Sequence, residues 1–303
     1  MKSIAHRSGH AEGVGSAWVE IGTLARGIVE ATARLQAGVL YLLLFAFALA
    51  ILYPLFWMLV ASLKTNIELF ANVWGLPLNP QWSNWVEAWR YGVGRFFLNS
   101  IIVTAASIAG VVVVSAWAAY ALARFDFPFR TTIFFFIVGG MMLSPQVALI
   151  PLFRLMTRLH LYNTYGALIV LDVAFRIPFT VFLMRAYMLG LPRELEESAY
   201  MDGANHWQVF WSVVIPLSLP IVVSAALLQA LFSWNEFLFA LTFIQDQALK
   251  TLPVGLLDIM DRERTNWPVL LAGLCIAALP MVVLFISTQR RFVRGLAEGW
   301  GKG

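Results

Sequence analysis

The stretch PRELEESAYMDGANHWQVFWSVVIPLSLP, from Pro192 to Pro220, places polar and turn-forming residues between two hydrophobic segments. Pro192 suits the first turn of a helix, where its missing N–H would have no partner in any case. Gly203 can end that helix in a left-handed conformation. Asn205, with Gln208 three residues later, has the pattern of a capping box. The stretch therefore predicts a helix, a sharp turn and a second helix that enters the next hydrophobic segment.

The composition is typical of an integral membrane protein. The 303 residues are 60% hydrophobic and 13% charged, with a mean hydropathy of +0.76, whereas soluble domains carry about 25% charged residues. A bilayer is crossed by about 20 consecutive apolar residues. Six segments meet this requirement, near 38–62, 98–122, 131–153, 164–188, 213–243 and 267–288. The predicted fold class is an all-α polytopic membrane protein with six transmembrane helices.

The predicted domain organisation has three parts. Residues 1–36 form a cytoplasmic tail with an interfacial amphipathic helix, for which a poorly ordered tail is the alternative. Residues 37–290 form the transmembrane domain, which includes the polar loop 190–212, and residues 291–303 form a second tail. Basic residues cluster near both termini, and such residues favour the cytoplasmic side. Both termini and the polar loop are therefore predicted to be cytoplasmic.

The polar loop resembles the EAA loop of ABC importer permeases. That pattern is an E-A-A triplet, a glycine four residues later and a late I-x-L-P. Here the triplet is Glu197, Ser198 and Ala199, the glycine is Gly203, and the run VVIP ends at Pro216. Serine replaces the second triplet residue, and valine and isoleucine replace the late isoleucine and leucine.

The rest of the chain is similar to carbohydrate-type permeases, and in particular to the MalG-type subunit of maltose-type sugar importers. The stretches that carry this resemblance are FFLNSIIVT, YALARFDFP, MMLSPQVALIPLF, SWNEFLFAL and the ending ALPMVVLFISTQRRFVRGLAEGWGKG. The resemblance implies the MetI-like fold of type I importers in a bacterial inner membrane. It also implies a MalF-type second permease, a MalK-type ATPase dimer, an extracytoplasmic solute-binding protein and an oligosaccharide substrate. Malto-oligosaccharides are the default substrate by resemblance, and an acidic glycan such as alginate is the lesser option.

The chain is not expected to be an enzyme. It has no G-x-x-x-x-G-K-[ST] phosphate loop, so ATP and Mg are expected in the partner ATPase subunits and no cofactor in this chain. Cys275 is its one cysteine, and the four histidines show no metal-ligand spacing. The basic residues lie beside apolar segments rather than in one patch, which argues against a nucleic-acid partner.

Three groups of residues are candidates for function. The resemblance implies ATPase coupling for Glu197, Ser198, Ala199, Asp202, Gly203 and Pro216. It also implies that the last outer loop contacts the binding protein through Asp246, Lys250, Asp261 and Arg262, for which a solvated charged loop is the alternative.

The third group consists of polar residues in hydrophobic segments, where charges are costly and usually face a cavity or a partner. Asn235 and Glu236 are interpreted either as a pathway or gate position or as an inter-subunit hydrogen bond. Asp172 and Arg176 are four residues apart, so they can form a structural ion pair on one helix face or a polar lining of the path.

Two other functions remain open from the sequence. A stand-alone secondary transporter would usually show inverted repeats and ion-coupling residues, and neither is found. A membrane enzyme acting on glycans or lipids would need an acid/base pair near an interface, which Glu236 alone does not supply.

Overall fold

The computed structural model describes the backbone of residues 8–260 and 266–300 and the side chains of residues 34–260 and 266–288. The chain divides into two compact units, residues 1–59 and 60–303. All regular secondary structure in the described part is helical, which confirms the predicted all-α class.

The described residues form α-helices of very different lengths, from a single turn to 55 residues. They are α1 (Ser8–Ser62), α2 (Asn66–Ala71), α3 (Ser83–Ala88), α4 (Gly94–Arg124), α5 (Arg130–Gly139), α6 (Pro145–Arg158), α7 (Tyr165–Leu189), α8 (Glu194–Met201), α9 (His206–Val209), α10 (Ile215–Leu217), α11 (Leu219–Trp234), α12 (Leu238–Phe243), α13 (Leu252–Met260) and α14 (Trp267–Trp300). Two π-helical turns, Trp89–Val93 and Phe210–Val214, join α3 to α4 and α9 to α10.

Among the described residues, four helices are long and apolar enough to cross a membrane, and the number rises to six if each of two bent pairs counts as one span. The third predicted span, 131–153, corresponds to one of these bent pairs, in which α5 and α6 meet at a bend of 101°. The fifth, 213–243, is also interrupted. A 76° bend separates Leu217 from Leu219, and α11 ends at Trp234 before α12 begins.

The predicted boundaries of the two tails do not coincide with helix ends. α1 runs without a break through residue 36, so the expected interfacial helix is not a separate element. α14 likewise continues past residue 290 to Trp300. In both places a continuous run of helix-compatible residues lets one helix extend beyond the hydrophobic segment.

Hydrogen bonds between loops define two ends of the second unit. At the α8 end, the Arg124 guanidinium donates to the carbonyl of Leu191, which joins the end of α4 to the loop before α8. At the α13 end, Asn163 Oδ1 accepts from the backbone N–H groups of Gln245 and Asp246. The connections therefore separate into two groups, as expected for helices that cross a membrane.

Three buried clusters hold the second unit together. One joins α3, α4, α13 and α14 around Phe96, and a second joins α4, α6, α7 and α12 around Leu171. The third lies at the α8 end and joins α4, α7, α9 and α11 around Phe210. α4 takes part in all three, and its Gly110 lets α7 approach closely, because a Cβ there would lie 2.8 Å from a methyl group of Val173.

Candidate functional site

The polar loop folds as its capping signals predict. The α8 helix ends at Met201, and Gly203 follows with φ +85°. The N–H of Ala204 bonds the carbonyl of Ala199, and the N–H of Gly203 bonds that of Tyr200, both at 3.0 Å. These two bonds form a Schellman motif, which confirms the predicted left-handed helix stop.

The second helix begins with the predicted capping box. The N–H of Gln208 donates to Asn205 Oδ1 and the N–H of Asn205 donates to Gln208 Oε1, both at 2.9 Å. The prediction for Pro192 was wrong by two positions. Arg193 is the N-cap of α8, so the proline precedes the helix rather than entering its first turn.

The predicted coupling residues mostly lie on the outer surface of this loop. Glu197, Ser198 and Asp202 are exposed, and Ala199 faces the buried cluster at the α8 end. Ser198 Oγ donates to the carbonyl of Glu194 at 2.8 Å and so is used within the helix. Pro216 is exposed in α10, well away from α8 in sequence.

An ion pair that sequence reasoning missed ties this loop to α4. Arg124 Nε lies 2.6 Å from Glu196 Oε1, and the two side chains are only 6% and 7% exposed. The N–H of Nε does not point at that oxygen, so the contact is an ion pair rather than an aligned hydrogen bond. The available signal was the helical position of Glu196, which shares the inward face of α8 with Ala199 and Tyr200.

The polar residues of the hydrophobic segments meet at a cavity of about 360 Å³. Asp172, Arg176 and Glu236 line it together with residues of the α5–α6 bend, among them Gln146. Asn235 is not among the lining residues, and its amide donates to the carbonyl of Leu231 at 2.7 Å. Three of the four predicted pathway residues are therefore brought together.

The Asp172 carboxylate is fully engaged inside the protein. It is 2% exposed and accepts from Arg176 Nε at 2.9 Å, while Ser233 Oγ donates to its other oxygen. The Arg176 guanidinium also lies over the ring of Phe232, 5.1 Å from its centre. The predicted ion pair on one helix face is present, and a bond from α11 completes it.

Glu236 lies within the fifth predicted segment, at a point where the helix is interrupted. It occupies the break between α11 and α12, where its two carboxylate oxygens accept from the N–H groups of Phe239 (2.8 Å) and Ala240 (3.0 Å). These bonds satisfy the free donors at the start of α12. They lie within this chain, so the proposed inter-subunit hydrogen bond is not needed to explain the residue.

Replacing Glu236 with alanine is expected to lower the stability of the protein by about 1 kcal/mol, because both bonds to the start of α12 are lost. Thermal unfolding of the purified protein in detergent measures the change. Glu236→Gln is the matched control, since its single amide oxygen keeps one of the two bonds and about half of the effect. An alanine variant as stable as the wild type would contradict a capping role.

The predicted binding-protein loop is structured in its described part. Asp246 accepts from the N–H of Ala248 at 2.8 Å, and Lys250 pairs with both oxygens of Asp258 at 2.7 and 2.9 Å. The contact with a binding protein and the alternative of a solvated charged loop both stay predictions for these residues, among which Asp246 is exposed. Asp261 and Arg262 lie outside the described residues. No group of three or more His, Cys, Asp or Glu side chains in the described part could hold a metal ion.

Residues 111–296 match the family described as binding-protein-dependent transport system inner membrane component. The probable ABC transporter permease protein YurM of Bacillus subtilis is 46% identical over 87% of this chain and 88% of its own length. The melibiose/raffinose/stachyose import permease protein MelC of the same organism is 32% identical over 82% of this chain and 91% of its own.

A solved bacterial ABC transporter that imports the acidic polysaccharide alginate shares the fold, with a TM-score of 0.75 and 23% identity over 86% of this chain and 97% of that one. Because the family match spans more than half of the chain and the relatives align over most of their length, the chain belongs to the inner-membrane permease components of binding-protein-dependent ABC transporters for sugars.

Proposed function

We propose that this chain is the MalG-type half of a heterodimeric pore that imports an oligosaccharide by alternating access. The observation that carries the proposal is the outward face of α8, formed by Glu194, Glu197, Ser198 and Met201. These four residues recur at helical spacing, so they share one side of the helix. A Schellman motif and a capping box hold this face in one conformation. A loop that contacts no partner would not need so fixed a backbone, so this rigidity favours a docking role.

The chemistry of this face indicates what it would bind. Met201 is 88% exposed at the end of α8, and Leu195 is 46% exposed in its first turn. Glu194, Glu197 and Asp202 surround these apolar side chains with negative charge. A partner groove with an apolar floor and basic rim would complement this face, and in an ABC importer that partner is the ATPase subunit.

Replacing Met201 with aspartate is expected to weaken ATPase binding by at least about tenfold, or about 1.4 kcal/mol. The change removes the exposed apolar contact and adds a charge to the docking face. Retention of the ATPase on the tagged, detergent-purified complex at increasing dilution measures it. Met201→Leu keeps an apolar side chain and should bind normally, whereas normal retention by the aspartate variant would exclude this face as the docking site.

The topology supports a cytoplasmic position for this loop. The end of α4 and the loop after α7 meet at the α8 end. The loops around Asn163 and Gln245 meet at the α13 end. If each bent helix pair crosses once, six spans place both termini on the same side as α8. The basic residues near the termini favour the cytoplasm for that side, and the loop that holds Lys250 would then face the binding protein.

The cavity beside the α5–α6 bend is the proposed part of the translocation path. Its volume falls within the range of about 300–1,000 Å³ found for small-molecule sites. Its lining combines Asp172, Arg176 and Glu236 with the aromatic rings of Phe175 and Phe239. Polar groups and aromatic faces together suit a hydroxyl-rich ring, and the second permease would supply the opposite wall.

A neutral, malto-oligosaccharide-like substrate fits this lining better than an acidic glycan. Asp172 and Glu236 place two carboxyl groups on this lining beside the one guanidinium of Arg176. Arg176 is moreover engaged with Asp172, so it is a poor counter-ion for a uronate. Because Arg176 is already paired with Asp172, an anionic sugar gains no electrostatic attraction from this guanidinium.

Purification of the tagged chain from its native membrane in mild detergent tests the proposal. We expect a second permease and an ATPase to be recovered with it, with ATP and Mg bound by the ATPase. Reconstituted with the solute-binding protein, this complex should hydrolyse ATP faster when the sugar is added. Sugar uptake by the chain alone, without ATP, would instead establish the stand-alone transporter, for which the known relatives give no support.

A further inference from the structure

The α4 helix connects the two ends of the second unit without interruption. It runs from Gly94 to Arg124, a length of 31 residues, which corresponds to about 46 Å at 1.5 Å per residue. It packs against both α7 and α11 and contributes to all three buried clusters. A helix supported along its length moves as one body, because packed interiors resist local deformation.

At the α8 end, two contacts attach the docking helix to α4. Arg124 pairs with Glu196, and one helical turn earlier Tyr120 OH lies 3.2 Å from Tyr200 OH. The partners are four residues apart on both helices, so they form two points of attachment along matching faces. One contact would leave α8 free to pivot, whereas two contacts a turn apart fix its angle to α4.

At the α13 end, α4 holds the loop before α13. The Asn99 side-chain amide donates to the carbonyls of Ala248 (2.8 Å) and Lys250 (2.9 Å). Ser100 Oγ accepts from the buried N–H of Leu252 at 2.8 Å. These bonds join side chains of α4 to backbone groups of the loop and of the start of α13. They therefore fix the backbone conformation of the loop independently of what its own side chains contact.

We propose that α4 acts as a rigid connection, here called the rod, between the docking helix α8 and the loop 245–252 at the opposite end. Arg124 and Tyr120 are the positioning residues at one end, and Asn99 and Ser100 are those at the other. The inference rests on the proposed function, in which α8 contacts the ATPase and the loop contacts the solute-binding protein. Loading of the binding protein would then be communicated to the ATPase over the roughly 37 Å between Asn99 and Arg124.

The burial of the Arg124–Glu196 pair supports a mechanical role. Both side chains are nearly inaccessible, and a buried charge left without its partner is strongly unfavourable. Separation of α8 from α4 during the transport cycle would expose or orphan these charges. The pair therefore favours states in which the two helices move together.

The test measures how strongly the loaded solute-binding protein stimulates ATP hydrolysis by the reconstituted complex. Glu196→Gln breaks the rod at the α8 end, and Asn99→Leu breaks it at the α13 end. Each is expected to reduce stimulation about tenfold, while the Asn99 complex keeps its basal ATP turnover. Asp126→Asn is the matched control, because it breaks the exposed pair with Arg130 at the same end and should leave stimulation unchanged.

The double variant separates a rod from two independent structural sites. If the loss of one contact already prevents α4 from transmitting the signal, the loss of the second contact adds nothing. The double variant should therefore lose no more stimulation of ATP hydrolysis than either single variant. Distant sites without shared coupling would add, and additive losses would overturn the proposal. Should Glu196→Gln fail to assemble, Glu196→Asp and Tyr200→Phe supply the break at that end.

Full stimulation in assembled Glu196 and Asn99 variants would also refute the rod. A wild-type complex that binds no ATPase, or that is not stimulated by its binding protein, would refute the proposed function instead. The two failures are therefore distinguishable in one set of measurements.

Discussion

Replacing Gly203 with proline is expected to abolish transport while leaving membrane insertion intact. Gly203 has φ +85°, whereas proline fixes φ near about −65°. Proline also removes the N–H that bonds the carbonyl of Tyr200. The Schellman motif could not form, and α8 would lose the orientation in which its outward face meets the ATPase. Sugar uptake and sugar-stimulated ATP hydrolysis in reconstituted membranes measure the effect.

Two further variants isolate the backbone conformation as the cause. A Cβ at Gly203 would meet nothing within 4 Å, so any loss in Gly203→Ala comes from the positive φ, at about 1–2 kcal/mol. Gly203→Asn should transport nearly normally, since asparagine tolerates the left-handed region best among the larger residues. Normal sugar-stimulated ATP turnover in the proline variant would contradict the coupling role of this loop.

Replacing Asp172 with leucine is expected to prevent recovery of a stable complex. The change leaves the Arg176 guanidinium without its partner inside the helix bundle and costs about 3–5 kcal/mol. It also leaves the Ser233 hydroxyl without its acceptor. The yield and thermal stability of the purified complex report the loss.

The double variant Asp172→Leu/Arg176→Met then separates stability from transport. Replacing both members of a buried pair by apolar residues is often neutral for stability, so the complex should be recovered. Transport should stay low, because the cavity has lost two of its three charged groups. Full transport by the double variant would show that the pair is structural only and that the path lies elsewhere.

Local signals in the sequence predicted the conformation of the polar loop well. A glycine that ends a helix and an Asn–Gln capping box act through backbone groups only a few residues away, so Gly203 and Asn205 reveal their roles without tertiary context. The apolar segments likewise followed from length and composition, since four of the described helices, or six if each bent pair is one span, can cross a membrane.

The breaks within the apolar segments could not be predicted in the same way. The run around Leu143 is hydrophobic on both sides of the 101° bend, so hydropathy alone reads it as one helix. The helix break at Glu236 was missed for the same reason, since the residues between α11 and α12 carry no strong turn signal. A capping interpretation was available, because a carboxylate three residues before a run of free N–H groups suits a helix start.

The contacts between distant parts of the chain were beyond sequence reasoning. Arg124 ends α4 and Glu196 lies in α8, and nothing local to either residue identifies the other as its partner. The amide of Asn99 likewise serves carbonyls about 150 positions later. Such pairs depend on which helices become neighbours, and a single sequence does not specify that.

The bend between α5 and α6 has a consequence for what surrounds it. Where a helix stops in the middle of a membrane, peptide groups lose their partners within the helix, and lipid tails offer none. The apolar side chains of Met142 and Leu143 are exposed at this point. Hydrocarbon can solvate those side chains but not the interrupted backbone. If α5 and α6 form one span, the bend therefore marks a depth at which water or protein, rather than lipid, surrounds the interrupted backbone.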